Sequence, residues 1–141
     1  MKDWTLSRIS PHRAPGVLTV FHREAESHWP ETARAYWGGH LDGVETFRCS
    51  RDAVVHHGTV NDKVYFFKIL SIRSRRFDGL KHVIKKSRGR RALLEGEALR
   101  EAGFQTPETV CLMEYRRGGM VRGSAIVTEA VEPSENLQAW F

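Results

Sequence analysis

The sequence predicts an α+β domain: a five-stranded antiparallel sheet with one packed helix, preceded by an irregular N-terminal segment. Three observations carry this. From residue 44 onward, short β-prone runs alternate with polar turns. One helical stretch, residues 88–102, separates three strands from two. Residues 1–43 hold Pro11, Pro15, Pro30, a Gly38-Gly39 pair and three of the four tryptophans, without sustained periodicity. A length of 141 residues is one domain's worth, and 40% hydrophobic with 28% charged residues excludes disordered and fibrous classes.

In residues 1–43 only the apolar run at 17–21 reads as a strand, placed at a sheet edge. Residues 44–49 form the next strand, and Ser50-Arg51-Asp52 a turn. Residues 53–60 follow, then Asn61-Asp62 as a two-residue polar turn. The strongest β run is 63–70, Lys-Val-Tyr-Phe-Phe-Lys-Ile-Leu, which completes a three-stranded meander. Phe77, Leu80, Val83 and Ile84 share one side of a short helix. Ser87 suits the N-cap of the 88–102 helix, which Gly103 stops and Pro107 follows. Residues 109–115 and 124–131 are the last two strands, joined by a turn at Arg116-Arg117-Gly118-Gly119. Residues 132–136 are a polar connector, and 137–141 read as the first turn of another helix. Three units result: an N-terminal segment 1–43, an α+β unit 44–131, and a connector 132–141.

Charge is uneven. The formal net charge is +5, yet eleven cations fall in residues 63–91 and only Asp78 opposes them. A stretch this polarised either faces an anion or is a solvated face. No apolar run approaches the roughly 18 residues of a membrane span. Met1-Lys2-Asp3-Trp4-Thr5 lacks the apolar core of a signal peptide, and Cys49 and Cys111 make no disulfide framework, so a cytoplasmic location is expected. The seven histidines show no metal spacing; His56 and His57 are adjacent and point to opposite strand faces.

One lysine stands inside the strongest strand. Side chains alternate along a strand, so Val64, Phe66, Lys68 and Leu70 share one face, and Tyr65, Phe67 and Ile69 the other. Both faces are apolar, so Lys68 is expected to be buried or half-buried, which calls for a counter-charge or an anionic ligand. Glu95 is the matching oddity, set between Ala92, Leu99 and Ala102 on one expected helix stripe, whereas Glu97 points elsewhere. A strand lysine and a helix glutamate of this kind can meet when the helix packs back on the sheet.

Strand lysine, helix glutamate, two strands and a polar connector together resemble the N-terminal lobe of the protein-kinase-like fold. The nearer resemblance is to bacterial lipopolysaccharide kinases, which phosphorylate Kdo or heptose of the inner core. It rests on Tyr65-Phe66-Phe67-Lys68, Ser87-Arg88-Gly89-Arg90-Arg91, Gly103-Phe104-Gln105-Thr106-Pro107 and Ala125-Ile126-Val127-Thr128-Glu129-Ala130, and spans about residues 44–141. The resemblance implies ATP as ligand, with Lys68 on the α/β-phosphates and Glu95 orienting it. Thr128 becomes the residue at the back of the adenine pocket, and the backbones of Glu129 and Val131 the hinge that holds adenine. The turn at 49–53 carries no glycine, so Ser50 and Arg51 stand where phosphate-binding backbone is expected. Phe66 is bulky over the adenine position.

Groups that would hold Mg²⁺ and orient the hydroxyl follow the hinge in this fold, and nothing after Val131 supplies them. The expectation is a nucleotide-binding lobe of a truncated or split chain. Its acceptor would be an inner-core sugar, with residues 73–91 touching the inner face of the inner membrane. The competing readings are a basic nucleic-acid-binding module, the less favoured partner class, and a degenerate kinase-like regulatory lobe.

Overall fold

The computed structural model describes residues 3–11, 15–49, 53–71, 88–118 and 120–130. The strands are β1 (Trp4–Ile9), β2 (Val17–Arg23), β3 (Glu45–Cys49), β4 (Ala53–Val60), β5 (Lys63–Ser71), β6 (Thr109–Arg117) and β7 (Met120–Glu129). The helices are α1 (Trp29–Trp37) and α2 (Arg88–Glu101). All seven strands join one sheet in the order β1-β2-β6-β7-β5-β4-β3, with every pair antiparallel.

This corrects the expected five-stranded sheet with one packed helix and an irregular N-terminal segment. Among the described residues, two of the strands and one of the two helices lie before residue 44. The prolines that made this segment read as irregular sit where regular structure tolerates them. Pro11 and Pro15 fall in the β1–β2 connection, where a missing N–H breaks no ladder bond. Pro30 occupies the first turn of α1, whose N–H groups have no intrahelical partner. The run at 17–21 belongs to β2, which is not an edge strand: β1 and β6 flank it on either side.

The expected meander is present. Its turn, Asn61-Asp62, has φ of 49° and 67°, the left-handed pair that a tight hairpin of this twist requires. The turn expected at 116–119 is shorter, because β6 runs to Arg117 and β7 resumes at Met120. The short helix expected around 77–84, the N-cap Ser87 and the connector 132–141 lie outside the described residues.

Two layers cover the sheet. α1 buries Trp29, Ala33 and Tyr36, spaced by four and three residues along one helix face. They meet Leu18 and Val20 of β2, Cys111 and Met113 of β6, Ala125 and Val127 of β7, and Tyr65 and Phe67 of β5. Tyr36 stacks on Phe67 at 4.5 Å, and Trp29 meets Tyr65 edge-on at 5.1 Å. Such pairs are worth roughly 0.5–1.5 kcal/mol beyond their buried area. All three N-terminal tryptophans have packing roles here: Trp29 in the core, Trp4 against Phe21 at 5.0 Å and Trp37 against Tyr115 at 5.9 Å.

α2 covers the opposite face and packs on β6 and β7. Its first turn presses directly on the sheet. A Cβ on Gly89 would lie 2.7 Å from Leu112 Cδ1 and 3.0 Å from Ser124, so only glycine allows this approach. The Gly89 N–H donates to Ser124 Oγ at 3.1 Å, and Leu93 is 1% exposed one turn later. Leu99 by contrast is 45% exposed. The buried edge of α2 therefore runs through Gly89 and Leu93, not through the expected stripe of Ala92, Glu95, Leu99 and Ala102. No helix among the described residues is long and apolar enough to cross a membrane.

Candidate functional site

The α2 face of the sheet carries the charged side chains. Antiparallel registers set Val55, Lys68, Ile126, Leu112 and Phe21 side by side across β4, β5, β7, β6 and β2. Lys68 is the one cation in this apolar row, and of the two expectations, buried or half-buried, it is half-buried. α2 brings Arg91, Ala92 and Glu95 to the same place. Together with Lys68 and Leu70 they line an open hollow of about 250 Å³.

Lys68 and Glu95 therefore share one hollow on one face, despite their distance in sequence. Glu95 itself is exposed, because it flanks the buried edge of α2 and does not belong to it. The hollow holds an ammonium, a guanidinium and one carboxylate. Cations outnumber the acid, so an anionic group is the ligand it suits.

Phe66 lies one pleat away on the Lys68 face, paired across strands with Thr128. It is 7% exposed, packs with Val55 and Ala130, and meets the Phe47 ring edge-on at 5.2 Å. Thr128 is half-buried beside it. Glu129 is paired with Tyr65 and falls on the other face. Its N–H is already donated to the Glu108 carbonyl at 3.0 Å, and the Ala130 N–H to the Val64 carbonyl at 3.1 Å. Ser50, Arg51 and Val131 lie outside the described residues, as does most of the basic segment, residues 72–87.

Two polar constellations escape a reading of the sequence. Tyr36 Oη and His56 Nδ1 are 2.7 Å apart, beside a hollow of about 240 Å³ that Leu41, Val44 and Ile69 also line. Burial raises the Tyr36 phenol above its usual range and lowers the His56 imidazole below 6.5. No local pattern links residues 36 and 56, because the packing of α1 on the sheet brings them together. The second constellation is Glu114, 4% exposed, with Arg90 and Arg116 beside it. A signal for it exists: Leu112 and Glu114 alternate on one face of an apolar strand, the same oddity that singled out Lys68.

A further hollow of about 460 Å³ lies between β1, β2 and the end of α2. Its charges largely satisfy one another. Arg23 pairs with Glu26 and Glu108, and Arg100 reaches Glu108 at 3.4 Å.

Comparison with protein-family models, with curated proteins and with solved structures returns no match.

Proposed function

We propose that the chain is the ATP-binding lobe of a phosphotransferase resembling the lipopolysaccharide kinases. In this reading Lys68 contacts the α/β-phosphates and Glu95 orients the ammonium. The observation that supports it is the shared hollow: Lys68 and Glu95 line one cavity with Arg91. The order of elements supports it too, since a lysine strand is followed by a glutamate helix and two further strands. Phe66 and Thr128, adjacent on the same face, would bound the adenine side. One carboxylate against two cations is a poor donor set for Mg²⁺, so these residues are assigned no metal. An inner-core sugar would be the acceptor, and residues 73–91 would meet anionic lipid.

The test is ATP binding by the intact chain, read as protection of Lys68 from amine-directed labelling. ATP should protect Lys68, and Lys68→Ala should abolish ATP binding while the circular dichroism spectrum is unchanged. Glu95→Gln should weaken binding by about tenfold, the loss of one charge-assisted contact. Equal ATP binding by Lys68→Ala sinks the proposal. Salt-sensitive oligonucleotide binding with no ATP effect would favour the basic binding module instead.

A further inference from the structure

Glu114 is a carboxylate deep in an apolar strand face. Its side chain is 5% exposed, and its Oε2 is buried without any hydrogen-bond partner. Arg90 from the first turn of α2 and Arg116 from β6 flank it, each with a guanidinium nitrogen 3.8 Å from Oε1. That distance gives Coulombic attraction but no hydrogen bond. A buried acceptor left unsatisfied is destabilising, so the fold tolerates a cost at this position.

The same residues wall a hollow of about 260 Å³, completed by Leu6, Arg8 and Thr19. The register explains the gathering, because Arg8, Thr19, Glu114 and Ser124 form one cross-strand row over β1, β2, β6 and β7. The Thr19 hydroxyl donates to the Glu114 carbonyl at 3.2 Å and holds the strands in place. Gly89 then lets α2 come close enough to set Arg90 over the row.

Three arginines and one carboxylate line the hollow, which favours an anion, and the carboxylate decides which anion. An acceptor-only group facing the ligand repels a fully ionised oxyanion but accepts a hydrogen bond from one that keeps a proton. We propose that Arg8, Arg90, Glu114 and Arg116 form a binding site for a protonated phosphate group, either inorganic hydrogen phosphate or the monoanion of a phosphate monoester. The P–OH donates to the Glu114 carboxylate and the remaining oxygens accept from the arginines. Sulfate, which carries no proton at neutral pH, is rejected. The site is separate from the Lys68 hollow and does not rest on the proposed nucleotide role.

Calorimetric titration of the intact chain with sodium phosphate and with sodium sulfate, at matched ionic strength and neutral pH, tests this. Phosphate should bind saturably and about tenfold or more tighter than sulfate. Arg116→Gln should weaken phosphate by a similar factor; Arg8→Gln, at an exposed position, is the second variant should Arg116→Gln fail to fold. Glu114→Gln supplies an amide donor, so sulfate should then bind as well as phosphate. Lys68→Ala should change neither affinity. Tighter binding of glycerol phosphate than of inorganic phosphate would assign the ester form, and the reverse the free ion; both uphold the site. Equal binding of sulfate and phosphate by the unsubstituted chain, or phosphate affinity unchanged in both arginine variants, overturns it.

Discussion

The Tyr36 hydroxyl and His56 Nδ1, 2.7 Å apart, tie α1 to β4 across the core formed by residues from both ends of the chain. Neither group has its ordinary proton affinity, and burial is the leading cause for both.

A lowered imidazole makes stability pH-dependent with a definite sign. The folded state binds the His56 proton less readily than the unfolded state, so below 6.5 the unfolded chain takes up more protons. His28, also lowered by burial, acts in the same direction. Stability present above 6.5 should fall as pH drops below it. Urea midpoints measured on both sides of this value should show the loss, and His56→Gln should remove part of it. Tyr36 has the opposite window: its raised phenol favours folding below 10.0, and this preference is lost at higher pH. Tyr36→Phe should cost about 0.5–2 kcal/mol by removing the bond to His56.

Gly89 and Gly96 occupy the same helix in opposite circumstances. Gly89→Ala places a Cβ against Leu112 and Ser124 and should destabilise by about 1–3 kcal/mol. Nothing lies within 4 Å of a Cβ on Gly96. Gly96→Ala should therefore stabilise by up to about 1 kcal/mol, the helix-propensity gain alone. Thermal denaturation of the two variants, with opposite signs, checks the seating of α2.

Leu93 and Leu99 separate the buried and exposed edges of α2. Leu93→Ala removes a side chain that is 1% exposed and should cost about 2–5 kcal/mol. Leu99→Ala, at 45% exposure, should stay within about 0.5 kcal/mol. Similar losses at both positions would restore the stripe through Glu95 and Leu99.

Residues 1–43 form part of the same core as the rest. Trp29→Ala should cost about 3–5 kcal/mol, since the ring is fully buried among β-sheet side chains. A fragment of residues 44–141 would expose the β6 edge along with Cys111 and Met113. It should show collapsed amide dispersion by NMR or aggregate, whereas the intact chain should show a dispersed spectrum.

Local chemistry made the meander legible. Residues 53–60 and 63–70 are dense in β-branched and aromatic side chains, and Asn61-Asp62 tolerates the positive φ of a tight turn. The helix from Arg88 was visible in the same way, from its composition and the glycine that stops it. Lys68 was readable because a charge in an apolar alternation stands out within one strand. β1 and α1 were hidden, and β2 was legible only as an edge strand at 17–21, because Pro11, Pro15 and Pro30 look like breakers until their places in a connection and a first helical turn are known. The rotation of α2 was hidden too: a weakly amphipathic helix is oriented by what it lands on, here Leu112 and Ser124 beneath Gly89.

By itself the sequence determined the strand–helix–strand order from residue 44, the place of Lys68 as a charge within an apolar strand, and the concentration of positive charge in residues 63–91. These follow from propensity and period, which act over a few neighbouring residues. Tertiary structure alone decided that β2 pairs with β6, that Lys68 and Glu95 share a hollow, and that Glu114 collects arginines from α2, β1 and β6 around a cavity. Each depends on strand register and on the close approach at Gly89, contacts between residues too distant in sequence for any local pattern to encode.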